Sequence, residues 1–167
     1  MKKLAILAAA ALTLTAGTAM AAPIHQMANH ETNLGVGTKE SYIEHKVTSK
    51  ATLGYEYADR DQYGSDQQDA YLQYDIVGSE AKLIGGYRWN LPGSKDNAFG
   101  GIALSTPKIL GFDVYTSYIA GKDFNEVQAG LNKNILFNVD LNVNYHNFKP
   151  KHGSRENGVG VGLAIKF

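Results

Sequence analysis

From about Thr32 to the end of the chain, apolar and polar residues alternate. The last two segments show it best. In 137–147, Phe137, Val139, Leu141, Val143 and Tyr145 alternate with Asn138, Asp140, Asn142, Asn144 and His146. In 158–167, Val159, Val161, Leu163, Ile165 and Phe167 alternate with Gly158, Gly160, Gly162, Ala164 and Lys166. Successive side chains of a strand point to opposite faces, so each segment predicts a strand with one apolar face and one polar or small face. The same pattern runs through 50–60, 67–77, 81–90, 97–105, 111–121 and 124–133. Leu83, Gly85, Tyr87 and Trp89, for example, oppose Lys82, Ile84, Gly86 and Arg88. Short connections such as Gly78-Ser79-Glu80 and Lys122-Asp123 read as turns, and no helical period interrupts the series. The domain is predicted to be all-β.

A water-soluble sandwich alternates too, so the content of the polar face decides. That face carries Glu56, Asp75, Lys82, Arg88, Asp113, Glu126, Asp140 and Lys166 among glycines and amides. Such a set suits the polar interior of a membrane barrel. Tyr57, Tyr87, Trp89, Tyr118 and Tyr145 fall near strand ends, where a lipid-facing barrel carries aromatic girdles. The chain also stops at Phe167, on the apolar face of its last strand.

That ending resembles the assembly signal of bacterial outer-membrane proteins. Val159, Val161, Leu163, Ile165 and Phe167 match its spacing of apolar residues before a terminal Phe. The remainder, about residues 32–167, resembles small OmpA/OmpX-type and porin-like barrels through alternation alone. The resemblance implies recognition of the last strand by the barrel-assembly machinery, and contact with outer-membrane lipid and lipopolysaccharide. Single-chain bacterial barrels have an even number of strands. Eight segments follow Lys50, so 32–47 contributes two spanning strands or none. Leu34 and Val36 alternate with Gly35 and Gly37, and Lys39-Glu40 fits a two-residue turn before 41–47. An antiparallel transmembrane barrel of ten strands is the first expectation and eight the second.

The first 31 residues stand outside this pattern. Lys2 and Lys3 precede an apolar run, which ends in small residues at Ala19-Met20-Ala21. This predicts a cleavable signal peptide over 1–21, with Sec export and cleavage between Ala21 and Ala22. Residues 22–31 show no period and are expected to be a flexible periplasmic tail, with His25 and His30 solvated rather than metal-bound. Without Lys2 and Lys3 the chain has 14 basic against 16 acidic residues, a formal net charge of −2, and nothing in it suggests nucleic acid. With no cysteine, disulfides, thiol catalysis and cysteine metal sites are excluded. No motif names a cofactor.

A barrel of this size has an interior that side chains nearly fill. The inward ionisable residues are expected to be Glu56, Asp69, Asp75, Asp113, Glu126 and Asp140 against Arg60, Lys82, Arg88 and Lys166, joined in ion pairs. The expected function is a structural barrel or a narrow porin-like pore with a weak preference for cations. In the pore version Gly54, Gly86, Gly101, Gly130, Gly160 and Gly162 line the passage. Surface interaction ranks below this, because the expected outer loops, 59–66, 91–96, 122–123 and 149–157, are short. Their basic cluster of Lys149, Lys151, His152 and Arg155 is the part that could meet lipopolysaccharide phosphates. A lipid-modifying enzyme ranks lower still. His146 and Asp140 lie on one strand roughly 20 Å apart, and His152 with Ser154 sits in a loop whose composition suits solvated surface. No catalytic residue and no metal site is assigned, and the oligomeric state is left open.

Overall fold

The computed structural model describes residues 22–38, 40–60, 66–91 and 96–167. The expected leader 1–21 with Ala19 and Ala21, the turn residue Lys39 and the loop tips 61–65 and 92–95 lie outside the described residues.

Ten antiparallel strands follow one another: β1 (Thr32–Gly37), β2 (Glu40–Lys46), β3 (Ala51–Ala58), β4 (Gln67–Val77), β5 (Ala81–Trp89), β6 (Asn97–Ser105), β7 (Phe112–Gly121), β8 (Phe124–Leu136), β9 (Val139–Pro150) and β10 (Glu156–Lys166). Each pairs with its neighbour in sequence, and β1 closes on β10 to complete the barrel. Closure removes every sheet edge. In the closing register Asn33 lies opposite Lys166 and Val36 opposite Leu163. Beyond β10, the backbones of Thr32 and Phe167 exchange two hydrogen bonds, of 2.7 and 2.9 Å. The weakly patterned stretch 32–47 thus supplies two strands, and the barrel has ten rather than eight.

Alternation sorts the side chains. Leu53, Leu72, Leu83, Ile102, Val114, Val127 and Val159 all face outward and are exposed, as are Tyr87, Tyr118 and Tyr145. Neighbouring registers, such as Leu53 opposite Leu72 and Leu83 opposite Ile102, join them into a belt. An apolar patch wrapping the whole wall has no place in water and is the surface a bilayer covers. The inner face holds the charged and amide residues.

Both termini of the barrel leave from one end. Turns 47–50, 78–80, 106–111 and 137–138 lie at that end, and the remaining connections at the far end. At the terminal end, Leu110 (φ 52°) and Gly111 (φ 79°) form a two-residue turn closed by hydrogen bonds between Ile109 and Phe112. Two positive φ values make this the mirror-image turn that matches strand twist, although Leu is a poor residue for its first position.

Candidate functional site

Among the described residues charge concentrates in the interior, which is filled in two layers. The first layer is the segment expected to be a flexible tail. Residues 22–27 enter the lumen from the terminal end and are buried there, with Ala22 8%, Ile24 4%, His25 1% and Met27 7% exposed. Its backbone is held from all sides. Lys82 of β5 donates to the His25 carbonyl at 3.1 Å, Asn132 of β8 to the Ile24 carbonyl at 2.9 Å, and Lys166 of β10 to the Gln26 carbonyl at 3.0 Å. The Gln26 side chain donates to the Thr106 carbonyl at 2.6 Å. His25 Nε2 meets the Tyr42 hydroxyl of β2 at 2.7 Å, with the two rings stacked.

This corrects the tail reading for 22–27, and with it the reading of His25 as solvated; His30 is exposed. The physical reason is that an aperiodic segment has no amphipathic signal, yet its bare carbonyls satisfy donors that the lumen would otherwise bury unpaired. Burial, with Lys166 next, pushes the His25 imidazole well below its ordinary value, so the ring is neutral where it sits.

The second layer lies nearer the far end. Arg88 of β5 holds Asp69 of β4 in a fork, with bonds of 2.6 to 3.0 Å, and reaches across the barrel to Glu126 of β8 at 2.9 Å. Arg60, just after β3, bonds Gln67 at 2.6 Å and pairs with Glu126 at 3.5 Å and Glu156 at 3.3 Å. Both guanidinium groups lie on aromatic faces, Arg60 over Phe148 at 4.1 Å and Arg88 over Phe124 at 4.2 Å. A planar, weakly hydrated cation suits such stacking. Because strands β4 and β5 stand across the barrel from β8 to β10, this layer spans the lumen.

Further ion pairs sit toward the terminal end. Asp75 takes Lys46 and, at 3.3 Å, Lys82. Asp140 takes Lys166 at 2.8 Å and Lys108 at 3.5 Å. A chain of amides runs between the layers, from Asn144 to Asn142 to Asn132 to Asp113, each step 2.7 or 2.8 Å.

The structure buries Glu56, Asp75, Lys82, Arg88, Asp113, Glu126, Asp140 and Lys166 in the lumen. Asp69 and Arg60 join them. It adds Glu40, Glu44, Lys46 and Glu156, which the sequence reading did not include. The signal for the first three was present: the even positions 40, 42, 44 and 46 face inward, but Ile43 and Tyr42 side by side blur the alternation. Glu156 was missed because it fell in the loop expected over 149–157, whereas β10 already begins at Glu156.

The glycines do not line an open passage. Gly54 lies beneath the Tyr71 ring of the next strand, Gly86 beneath Phe99 and Gly130 beneath Tyr115, whose Oη is 2.5 Å from where a Cβ would stand. The missing side chains make room for inward aromatics. His146 faces the lumen 3.6 Å from Glu156, while His152 and Ser154 stay exposed in the last loop. In the exposed basic cluster Lys151 pairs with Asp123 at 3.7 Å and Arg155 bonds Asn147 at 2.8 Å. Val159 and Phe167 are exposed on the outer wall, and Val161, Leu163 and Ile165 lie half-buried between them.

A closed antiparallel wall with lipid-compatible residues outside and charges inside defines a class, the ten-stranded transmembrane β-barrel. No family model matches the chain, and no curated protein matches it. Among solved structures it is similar to a de novo designed transmembrane β-barrel, with 16% identity over 86% of this chain and 100% of that one and a TM-score of 0.40. The KdgM porin has 10% identity over 82% and 98%, with a TM-score of 0.48. The N-terminal β-barrel domain of Pseudomonas aeruginosa OprF has 10% identity over 82% and 94%, with a TM-score of 0.37. Likeness at this level adds nothing to what the closed wall itself shows.

Proposed function

We propose that the protein is an exported outer-membrane barrel that is sealed at rest, a structural barrel before it is a pore. One observation carries this reading: the lumen is crossed twice, by residues 22–27 and by the Arg60–Arg88–Glu126 layer. In this reading the leader is removed between Ala21 and Ala22 after Sec export. The barrel-assembly machinery then takes the last strand through Val159, Val161, Leu163, Ile165 and Phe167. The exposed Lys149, Lys151, His152 and Arg155 meet lipopolysaccharide phosphates at the far end.

The second reading is a narrow cation-preferring pore. It is supported by the charge of the lumen, where among the described residues nine buried carboxylates (Glu40, Glu44, Glu56, Asp69, Asp75, Asp113, Glu126, Asp140 and Glu156) face five cations (Lys46, Arg60, Lys82, Arg88 and Lys166). An opened lumen with that excess would favour cations. No enzymatic role is proposed, since no nucleophile stands beside the His146–Glu156 pair among the described residues.

The test is single-channel recording of refolded residues 22–167 in a planar bilayer. Folded, heat-modifiable protein with no steps in current is the expected result. Frequent stable openings with cation preference would replace the sealed reading with the pore.

A further inference from the structure

Glu56 and Glu40 are buried lumen carboxylates that stand in none of the ion pairs described above, and Glu56 is the one that the seated segment reaches. It projects inward from β3 and is 3% exposed. Its cross-strand partner is Asp69, another acid, and like charges directly opposite repel. The cations nearby are already engaged: Arg88 by Asp69 and Glu126, Arg60 by Glu126 and Glu156, Lys46 and Lys82 by Asp75, and Lys166 by Asp140. Glu44, an acid of the neighbouring strand β2, accepts from the neutral donors Asn33, Tyr71 and Gln73. Glu56 Oε1 has no hydrogen-bond partner. An ionised carboxylate left unpaired away from water is costly.

The group that approaches Glu56 is the start of the seated segment. The Ala22 backbone N–H lies within reach of the Glu56 carboxylate. Ala22 and Glu56 also line one cavity of about 30 Å³, together with Asp69 and Tyr71. In the uncleaved chain that nitrogen is a neutral amide with a single donor. Hydrolysis of the Ala21–Ala22 bond consumes one water, leaves a carboxylate on Ala21 and turns the Ala22 nitrogen into an ammonium with three donors.

We propose that Glu56 is the receptor for the α-ammonium group that leader removal creates at Ala22, so that processing supplies the missing cation and locks the N-terminal segment into the lumen. This rests on the cleavage position in the reading above. It goes beyond that reading by making the new terminus a working part of the barrel. In the unprocessed chain the same segment brings no charge to Glu56, so its seating is weaker and the lumen one cation short.

The experiment uses protein extracted from outer membranes after export of the full precursor. Intact mass gives its N-terminus. The folded protein in detergent is then treated near neutral pH with an acetylating reagent, and peptide mass spectrometry follows Ala22 against time. The α-amine is expected to react at least about tenfold more slowly in the folded barrel than in the urea-unfolded chain, because a buried, paired ammonium offers no free amine. Glu56→Gln keeps the burial, removes the charge and restores about tenfold faster labelling, whereas Glu44→Gln leaves the rate unchanged. Should Glu56→Gln fail to fold, one extra residue before Ala22 in a refolded chain moves the ammonium by about 3.8 Å and abolishes the protection. A terminus other than Ala22 overturns both the cleavage reading and the proposal. A terminus at Ala22 that labels equally fast in folded and unfolded protein overturns the proposal alone, as does protection that survives Glu56→Gln.

Discussion

At the scale of single residues, the lumen couples charge to packing. Arg88 is fully buried and serves two carboxylates. Arg88→Met therefore strands Asp69 and leaves Glu126 with only the longer contact to Arg60, and should cost about 3–5 kcal/mol, read as a lower urea midpoint for the heat-modifiable form. The glycines give a sharper contrast. Gly130→Ala drives a methyl into the Tyr115 ring and should cost about 1–3 kcal/mol. Gly85→Ala, on the lipid face with nothing within 4 Å of the new Cβ, should change stability by less than about 0.5 kcal/mol.

His25 makes a pH prediction. Its imidazole is held neutral below its ordinary value, so the released segment binds more protons than the seated one. The seating it contributes is complete above the ordinary histidine value, near about 6.5, and is lost as pH falls below it. Limited proteolysis of residues 22–31 in detergent should accelerate on acidification, and His25→Phe should flatten that dependence.

At the scale of elements, the turn at Leu110-Gly111 and the strand pair β1–β2 show what local sequence settles. Leu110 is 88% exposed with positive φ, so it carries backbone strain without packing in return. Leu110→Asn keeps the turn and should raise stability by about 1 kcal/mol in the same urea assay. The strands of 50–167 could be drawn from alternation, because a wall with lipid on one side and polar filling on the other imposes a period of two on every strand. The pair β1–β2 was harder, since strands of 6 and 7 residues give few repeats. Its place was fixed by the even-number rule and then by closure, with Asn33 meeting both Glu44 of β2 and Lys166 of β10 in register.

At the scale of the whole molecule, the two layers act in series. Removing residues 22–29 takes away the first but leaves Arg60, Arg88, Phe124 and Phe148 across the lumen. The truncated barrel should still fold and still fail to conduct in a planar bilayer. Combining the truncation with Arg60→Gly and Arg88→Gly should give discrete cation-preferring openings, because the remaining buried charge is then strongly acidic. Openings from the truncation alone would mean that the Arg60–Arg88 layer does not seal.

What the chain determined by itself was the partition between faces. Alternation sends Leu53, Leu83 and Val159 outward and Glu56, Arg88 and Lys166 inward, whatever the partners, because side-chain direction in a strand is a local property of the backbone. That was enough for an all-β transmembrane wall and for most of its inward charges. The contents of the lumen were decided only by the closed tertiary structure. Glycine 54 makes room for Tyr71 seventeen residues away, Arg60 finds Glu126 across the barrel, and residues 22–27, which carry no period of their own, are buried by carbonyl contacts to β5, β8 and β10. Such pairings depend on register and closure between distant strands, and a side chain's direction does not reveal what it will meet.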